Sequence, residues 1–310
     1  MKKRIFISLG VLGILVVAYL FVCIVASGFN FQAVFGAEER TPASLDYQEK
    51  ITSLDVDMTS DNLIIKKAND GAAHINYYQS NVANYNISLE NGVLKITQKR
   101  PWYIIFSFTK SKNLEITLPD ALDAADLELS AGSINLSSLS IAELKAQASS
   151  GGISMDKVIL EKGIIKVSSG SINLNDLQAE ELEIGSSSGN INLKNVNTER
   201  AAIALSSGNI DILESTLKDL TLKASSGKIT TSKLVTNNCD INSSSGSVTL
   251  GILTDNPDNY RLELSTSSGK ITVQGGEYDI NSRGYLKTGK GSNLIKVSVS
   301  SGNISVIFEE

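Results

Sequence analysis

From about residue 121 onward the chain repeats one short alternation of apolar and polar positions with a period of 19 residues. Glycine marks the phase. Gly132, Gly151, Gly170, Gly189, Gly208, Gly227 and Gly246 follow one another at that interval, nearly all behind Ser-Ser, and Gly269 and Gly302 end two further Ser-Ser-Gly units after longer gaps. Two residues past these glycines stand Ile134, Ile153, Ile172, Ile191, Ile210, Ile229, Val248, Ile271 and Ile304. The next position is polar in every repeat, from Asn135 to Ser305, and the one after it is apolar in all but Thr231. A period of two is the mark of a strand with one buried face. A second alternating run precedes each corner, as in Leu182-Glu183-Ile184 and Ile295-Lys296-Val297. One coil cannot bury its apolar row alone, whereas coils stacked about 4.8 Å apart build a continuous core. The pattern therefore predicts an all-β fold, a parallel β-solenoid with about 19 residues per coil, right-handed by the general preference of parallel crossovers. The nine glycines are its expected structural turns, where a positive φ makes a Cβ costly.

Upstream the pattern changes twice. Behind Lys2, Lys3 and Arg4, a run from Ile5 to about Ala26 carries no charge. Its length matches the roughly 20 residues of a membrane-crossing helix and exceeds the apolar region of a cleaved signal peptide. One N-terminal transmembrane helix is expected, with a cytoplasmic N-terminus and everything after Gly28 extracytoplasmic, a single-pass protein of the cell membrane. The expected division is a signal anchor over 1–28, a linker over 29–49, a β-rich capping region over 50–120 and the solenoid over 121–310. Within the capping region Leu54-Asp55-Val56-Asp57-Met58 and Leu114-Glu115-Ile116-Thr117-Leu118 alternate as strands, and Asn91-Gly92 reads as a turn. The segment Arg100 to Phe108 holds the single Trp. It reads either as a strand sealing the first coil or as a membrane-interface contact through Trp102, Tyr103, Phe106 and Phe108. Extra residues near Asp255 to Tyr260 predict an outward loop, and the 276–291 insertion, with Tyr278, Arg283 and Tyr285, reads either as a hairpin on the side of the last coils that could carry binding or, preferably, as a tolerated insertion that covers the end of the core.

Composition narrows the function classes. The formal net charge of −5 offers no large basic field, so nucleic acid is excluded as a partner. Cys23 lies in the apolar run and Cys239 in a coil, too far apart for a disulfide. His74 is the only histidine and has no Gly-x-Ser-x-Gly partner, so a Ser-His-Asp nucleophile is not supported. Zinc lacks ligands. The repeat has one glycine and Asp only at Asp211, which does not fit a calcium-binding solenoid. Asp176, Glu180, Glu181, Glu183 and Glu199 read as solvated turns rather than a paired acid and base. No catalytic residue, cofactor or metal is expected.

The order of features resembles one family: a basic start and an apolar run, a region ending in Leu114-Glu115-Ile116-Thr117-Leu118-Pro119, then Ser-Ser-Gly-x-Ile-x-Leu units. It is the LiaG-like, suspected-adhesin β-strand-repeat family of Gram-positive cell-envelope proteins, a domain of unknown function, and the resemblance covers about residues 50–310. It implies a link with envelope-stress operons and brings no catalytic residues. The expectation is a non-enzymatic, membrane-anchored, adhesin-like or scaffold protein outside the cell, whose partner is a cell-wall polymer, another envelope protein or a second copy. The alternative is a modulator of envelope-stress signalling acting through a membrane partner.

Overall fold

The computed structural model describes residues 2–28, 39–80, 83–99, 101 and 111–310, with side chains described from residue 14 onward. The repeats form parallel ladders in register, with one shift between Thr231 and Leu234 where that strand meets Leu250 and Ile252. Ile134 lies beside Ile153, and Ile172, Ile191, Ile210, Ile229 and Val248 follow coil by coil. A second column, Ala146, Ile165, Ile184, Ile203, Leu222 and Ile241, runs parallel to it on the strands before the corners. Both columns are buried and belong to one continuous core. The polar residues between them face outward because successive side chains of a strand alternate in direction.

Each regular coil bends sharply at two places. One is the glycine. The other lies six residues later, at Ser138, Lys157, Asp176, Asn195, Glu214 and Lys233, all with φ between 51° and 56°. That left-handed region costs a residue with a Cβ roughly 1 kcal/mol. Repetition makes the cost acceptable, since five of the six corners seat the next residue, an apolar one (Leu139, Val158, Leu177, Val196, Leu234), in the core, and the corner at Glu214 buries Ser215.

The stacking order departs from chain order at both ends. Ser53–Met58 lies between Leu122–Ala131 and Val93–Lys99, and Asn62–Lys67 lies between Ile134–Ser137 and Asn113–Leu118. The first coil of the chain is thus second in the stack. At the far end Asn293–Ser301 lies between Asn238–Ser245 and Tyr260–Ser268, and Ile304–Glu309 between Val248–Leu253 and Ile271–Gly275, so the last coil is second from the end.

The outermost coils are then covered by antiparallel strands. Asn84–Glu90 and Ala73–Ser80 cover one end, with Arg40–Tyr47 added beside Ala73–Ser80. Tyr278–Ser282 and Tyr285–Thr288, from the inserted segment, cover the other. An uncovered parallel edge would present open N–H and C=O groups to any other strand.

One expectation is corrected. A helix runs over Lys2–Ala26, but among the described residues no helix is long and apolar enough to cross a membrane. With the transmembrane helix go the single-pass membrane location, the membrane anchor in the expected function, and the membrane partner of the alternative reading. The segment with Trp102, Tyr103, Phe106 and Phe108 lies outside the described residues.

Candidate binding face

The Ser-Ser-Gly corners flank a groove that runs across successive coils. The glycines in the repeat have φ between 109° and 159°, and a Cβ at Gly151 would stand 1.9 Å from the carbonyl oxygen of Gly132. Conformation and the close approach of the coil beneath both demand glycine here. Past the corner, asparagine ties coils together. Oδ1 of Asn190 accepts from the backbone N–H of Asn209 at 3.0 Å, and Asn209 does the same for Lys228 at 3.1 Å.

Before the corner lies an open groove of about 1060 Å³ whose lining runs from coil to coil. One row of its lining is serine in coil after coil, from Ser130 through Ser187 and Ser206 to Ser300 and Ser267. The neighbouring outward row is mixed, with Gln147, Lys166, Gly185, Ala204, Lys223 and Asn242. At Gly185 the Lys166 stem of the preceding coil lies over the backbone and its Nζ reaches Glu183 at 2.7 Å. The face offers hydroxyl donors and acceptors at the coil spacing. It presents no nucleophile beside a base.

Glu181, Glu199 and Asp176, among the carboxylates read from the sequence, are each engaged by the following coil. Arg200 pairs with Glu181 at 2.5 Å and Lys218 with Glu199 at 2.6 Å, while Asp176 accepts from Asn195 at 2.6 Å. The Arg200 guanidinium holds Glu181 below the usual carboxylate range. A carboxyl kept ionised in this way cannot serve as a general acid at neutral pH. Among the described residues there is no group of three or more His, Cys, Asp or Glu able to hold a metal ion. Cys239 is buried in the column of Leu220 and Ile295, and burial pushes its thiol up to about 12.

His74 sits apart from the groove, on the capping strand Ala73–Ser80. Its two ring nitrogens face carboxylates, Nδ1 to Asp46 at 2.6 Å and Nε2 to Asp70 at 2.8 Å. Neither is left for a serine hydroxyl.

Asp61 is a residue that the glycine pattern does not reveal. It takes the glycine's place in the first coil, with φ 77°, and its carbonyl lies under Gly132. Its buried carboxylate accepts from Arg40 Nη1 at 2.6 Å, Tyr85 Oη at 3.0 Å, Gln98 Nε2 at 2.9 Å and the Lys112 backbone N–H at 2.9 Å. A buried charge so fully bonded is tolerated. The signal was present: Thr59-Ser60-Asp61-Asn62-Leu63 echoes Ser-Ser-Gly-Asn-Ile with Asp for Gly.

Solved structures of similar fold include a suspected adhesin of Parabacteroides merdae ATCC 43184, at 14% identity, covering 88% of this chain and 97% of that one, with a TM-score of 0.49. Another suspected adhesin, of Parabacteroides distasonis ATCC 8503, is 14% identical, covers 86% and 97%, and has a TM-score of 0.42. A suspected lipid-binding protein of the same organism is 14% identical, covers 88% and 99%, and has a TM-score of 0.38. At these values the likenesses carry no argument about function. No curated protein matches. The model of the family described as Toastrack DUF4097 matches residues 51–307, and the chain, with its glycine-cornered coils, belongs to that family.

Proposed function

We propose that the protein is a non-enzymatic, adhesin-like or scaffold protein that engages an extended partner along the side of its stack. Toastrack membership and the absence, among the described residues, of a metal-ligating cluster are consistent with a non-enzymatic protein. The observation that carries the reading is the serine-lined groove, which continues across successive coils. A rigid row of hydroxyls suits a partner that is itself long and repetitive: a cell-wall polymer, a strand of another envelope protein, or a second copy. A Gram-positive envelope is part of this proposal and is supported by the sequence resemblance.

The triple substitution Ser187→Glu, Ser206→Glu and Ser225→Glu changes only exposed residues and places charge along the groove. Co-sedimentation of the full chain with purified cell-wall material, and its own sedimentation profile, are expected to weaken about tenfold or more. Unaltered association in both, with the far-UV spectrum retained, would sink the proposal.

A further inference from the structure

The strand Arg40–Tyr47 is fastened at two points. Its residues pair antiparallel with Ala73–Ser80 over the whole length. Near its start Arg40 reaches the buried Asp61, and near its end Asp46 reaches His74. The two fastenings differ in chemistry. Arginine stays charged at every pH a folded protein meets. Histidine does not.

We propose that His74 is a proton-operated latch on the end of this strand, holding it to the cap when the imidazole is charged and releasing it when the proton leaves. The geometry requires both ring nitrogens to meet carboxylate oxygens, Asp46 on the strand and Asp70 on the preceding turn. A neutral imidazole has a single N–H and donates to one of them only. The other contact then sets two lone pairs against each other. Across the sheet His74 lies beside Thr117, which is uncharged, and the nearby Lys66 and Glu115 are paired with each other at 2.6 Å. Asp46 and Asp70 are therefore the charged groups that face the ring.

Hydrogen bonds to Asp46, then to Asp70, raise the His74 pKa above its ordinary 6.5. The bond to His74 lowers that of Asp70 below 3.8. The signs define a window. A raised histidine contributes fully below its unfolded pKa, and its contribution fades as pH climbs through the folded value. A depressed aspartate contributes above its unfolded pKa and fades as pH falls through the folded value. The latch is closed between these limits and opens on the alkaline side through His74.

Opening would free the Tyr47 end while Arg40 and Asp61 keep the Arg40 end docked. It would uncover the Ala73 half of the neighbouring edge, a place where another strand could add. This device is independent of the groove and of the adhesive reading.

Hydrogen exchange on the full chain tests it. After correction for intrinsic rates, protection of amides in 41–47 should fall about two- to fivefold across the His74 titration followed by NMR, the scale of an exposed charged contact, while amides of Ile172–Ser188 stay constant. His74→Gln should remove the pH dependence. His74→Lys, charged through this range, should keep protection flat and high. Strand protection that ignores the His74 titration, or that follows pH equally in His74→Gln, would overturn the proposal.

Discussion

Ser186 shows how strictly a ladder judges each side chain. Its position alternates inward, between Val167 and Leu205 of the neighbouring coils, and its Oγ is buried without a hydrogen-bond partner. An unsatisfied hydroxyl costs about 1–3 kcal/mol, so Ser186→Ala is expected to raise stability by about 1 kcal/mol, seen as a higher urea midpoint at unchanged slope. A lower midpoint would show that the hydroxyl is satisfied after all. Gly189→Ala should do the reverse, since its Cβ would stand 1.8 Å from the Gly170 carbonyl oxygen at φ 138°. The loss should exceed about 3 kcal/mol, because backbone must move in two coils. Asp61→Asn keeps the shape and removes the charge that meets Arg40, whose side chain is 7% exposed. Breaking such a buried pair costs about 3 kcal/mol or more. The loss should register first as lowered amide protection in Arg40–Tyr47 and Val93–Lys99. Equal protection in wild type and variant would refute the role given to Asp61.

At the scale of elements, the capping strands decide whether the stack ends or continues. Tyr278–Ser282 and Tyr285–Thr288 close the outermost coil, and Tyr278 packs on Phe308 with ring centroids 5.6 Å apart. Replacing residues 277–288 by a short Gly-Ser linker would leave Tyr260–Ser268 and Ile271–Gly275 open along one edge. Open parallel edges recruit other strands. The variant is expected to form dimers or larger species by light scattering, and a monodisperse monomer would argue that the hairpin is a passive insertion. The hairpin was legible as extra length between Gly269 and Gly302. So was a cover over the end of the core; the antiparallel pairing with Tyr260–Ser268 and Ile271–Gly275 was not, because length does not say which strands a loop will pair with. Arg40–Tyr47 was less legible still: Pro42, polar residues and weak alternation read as a linker, and only its partner strand makes it a strand.

For the whole molecule the unit of stability is the interface between coils, repeated with small variations. Excising residues 171–189, one complete period, brings Gly170 next to Asn190 and restores every ladder one coil shorter. That variant should fold, with the stack shortened by about 4.8 Å as measured by small-angle scattering. Excising ten residues instead breaks both registers and should not fold. Failure of the full-period deletion would mean that the coils are not interchangeable and that end-specific contacts govern folding. The ion-pair ladders matter less to this balance, since Lys145, Lys166, Arg200 and Lys218 are substantially exposed and exposed pairs contribute about 0–1 kcal/mol each.

What the sequence determined by itself is the repeating coil: the 19-residue period, the inward isoleucines and the glycine positions are local facts, written into every turn, and burial of branched aliphatics leaves one consistent way to stack them. Three things were decided only in three dimensions. The corner at Ser138, Lys157, Asp176, Asn195, Glu214 and Lys233 leaves no residue signature, because its conformation is imposed by the coils on either side. The order of coils at both ends depends on which distant strand pairs with which, and Leu54 or Val297 would look the same at any level of the stack. The groove exists only once successive serines are aligned, since a hydroxyl becomes part of a surface through neighbours that lie 19 residues away along the chain and one strand away in space.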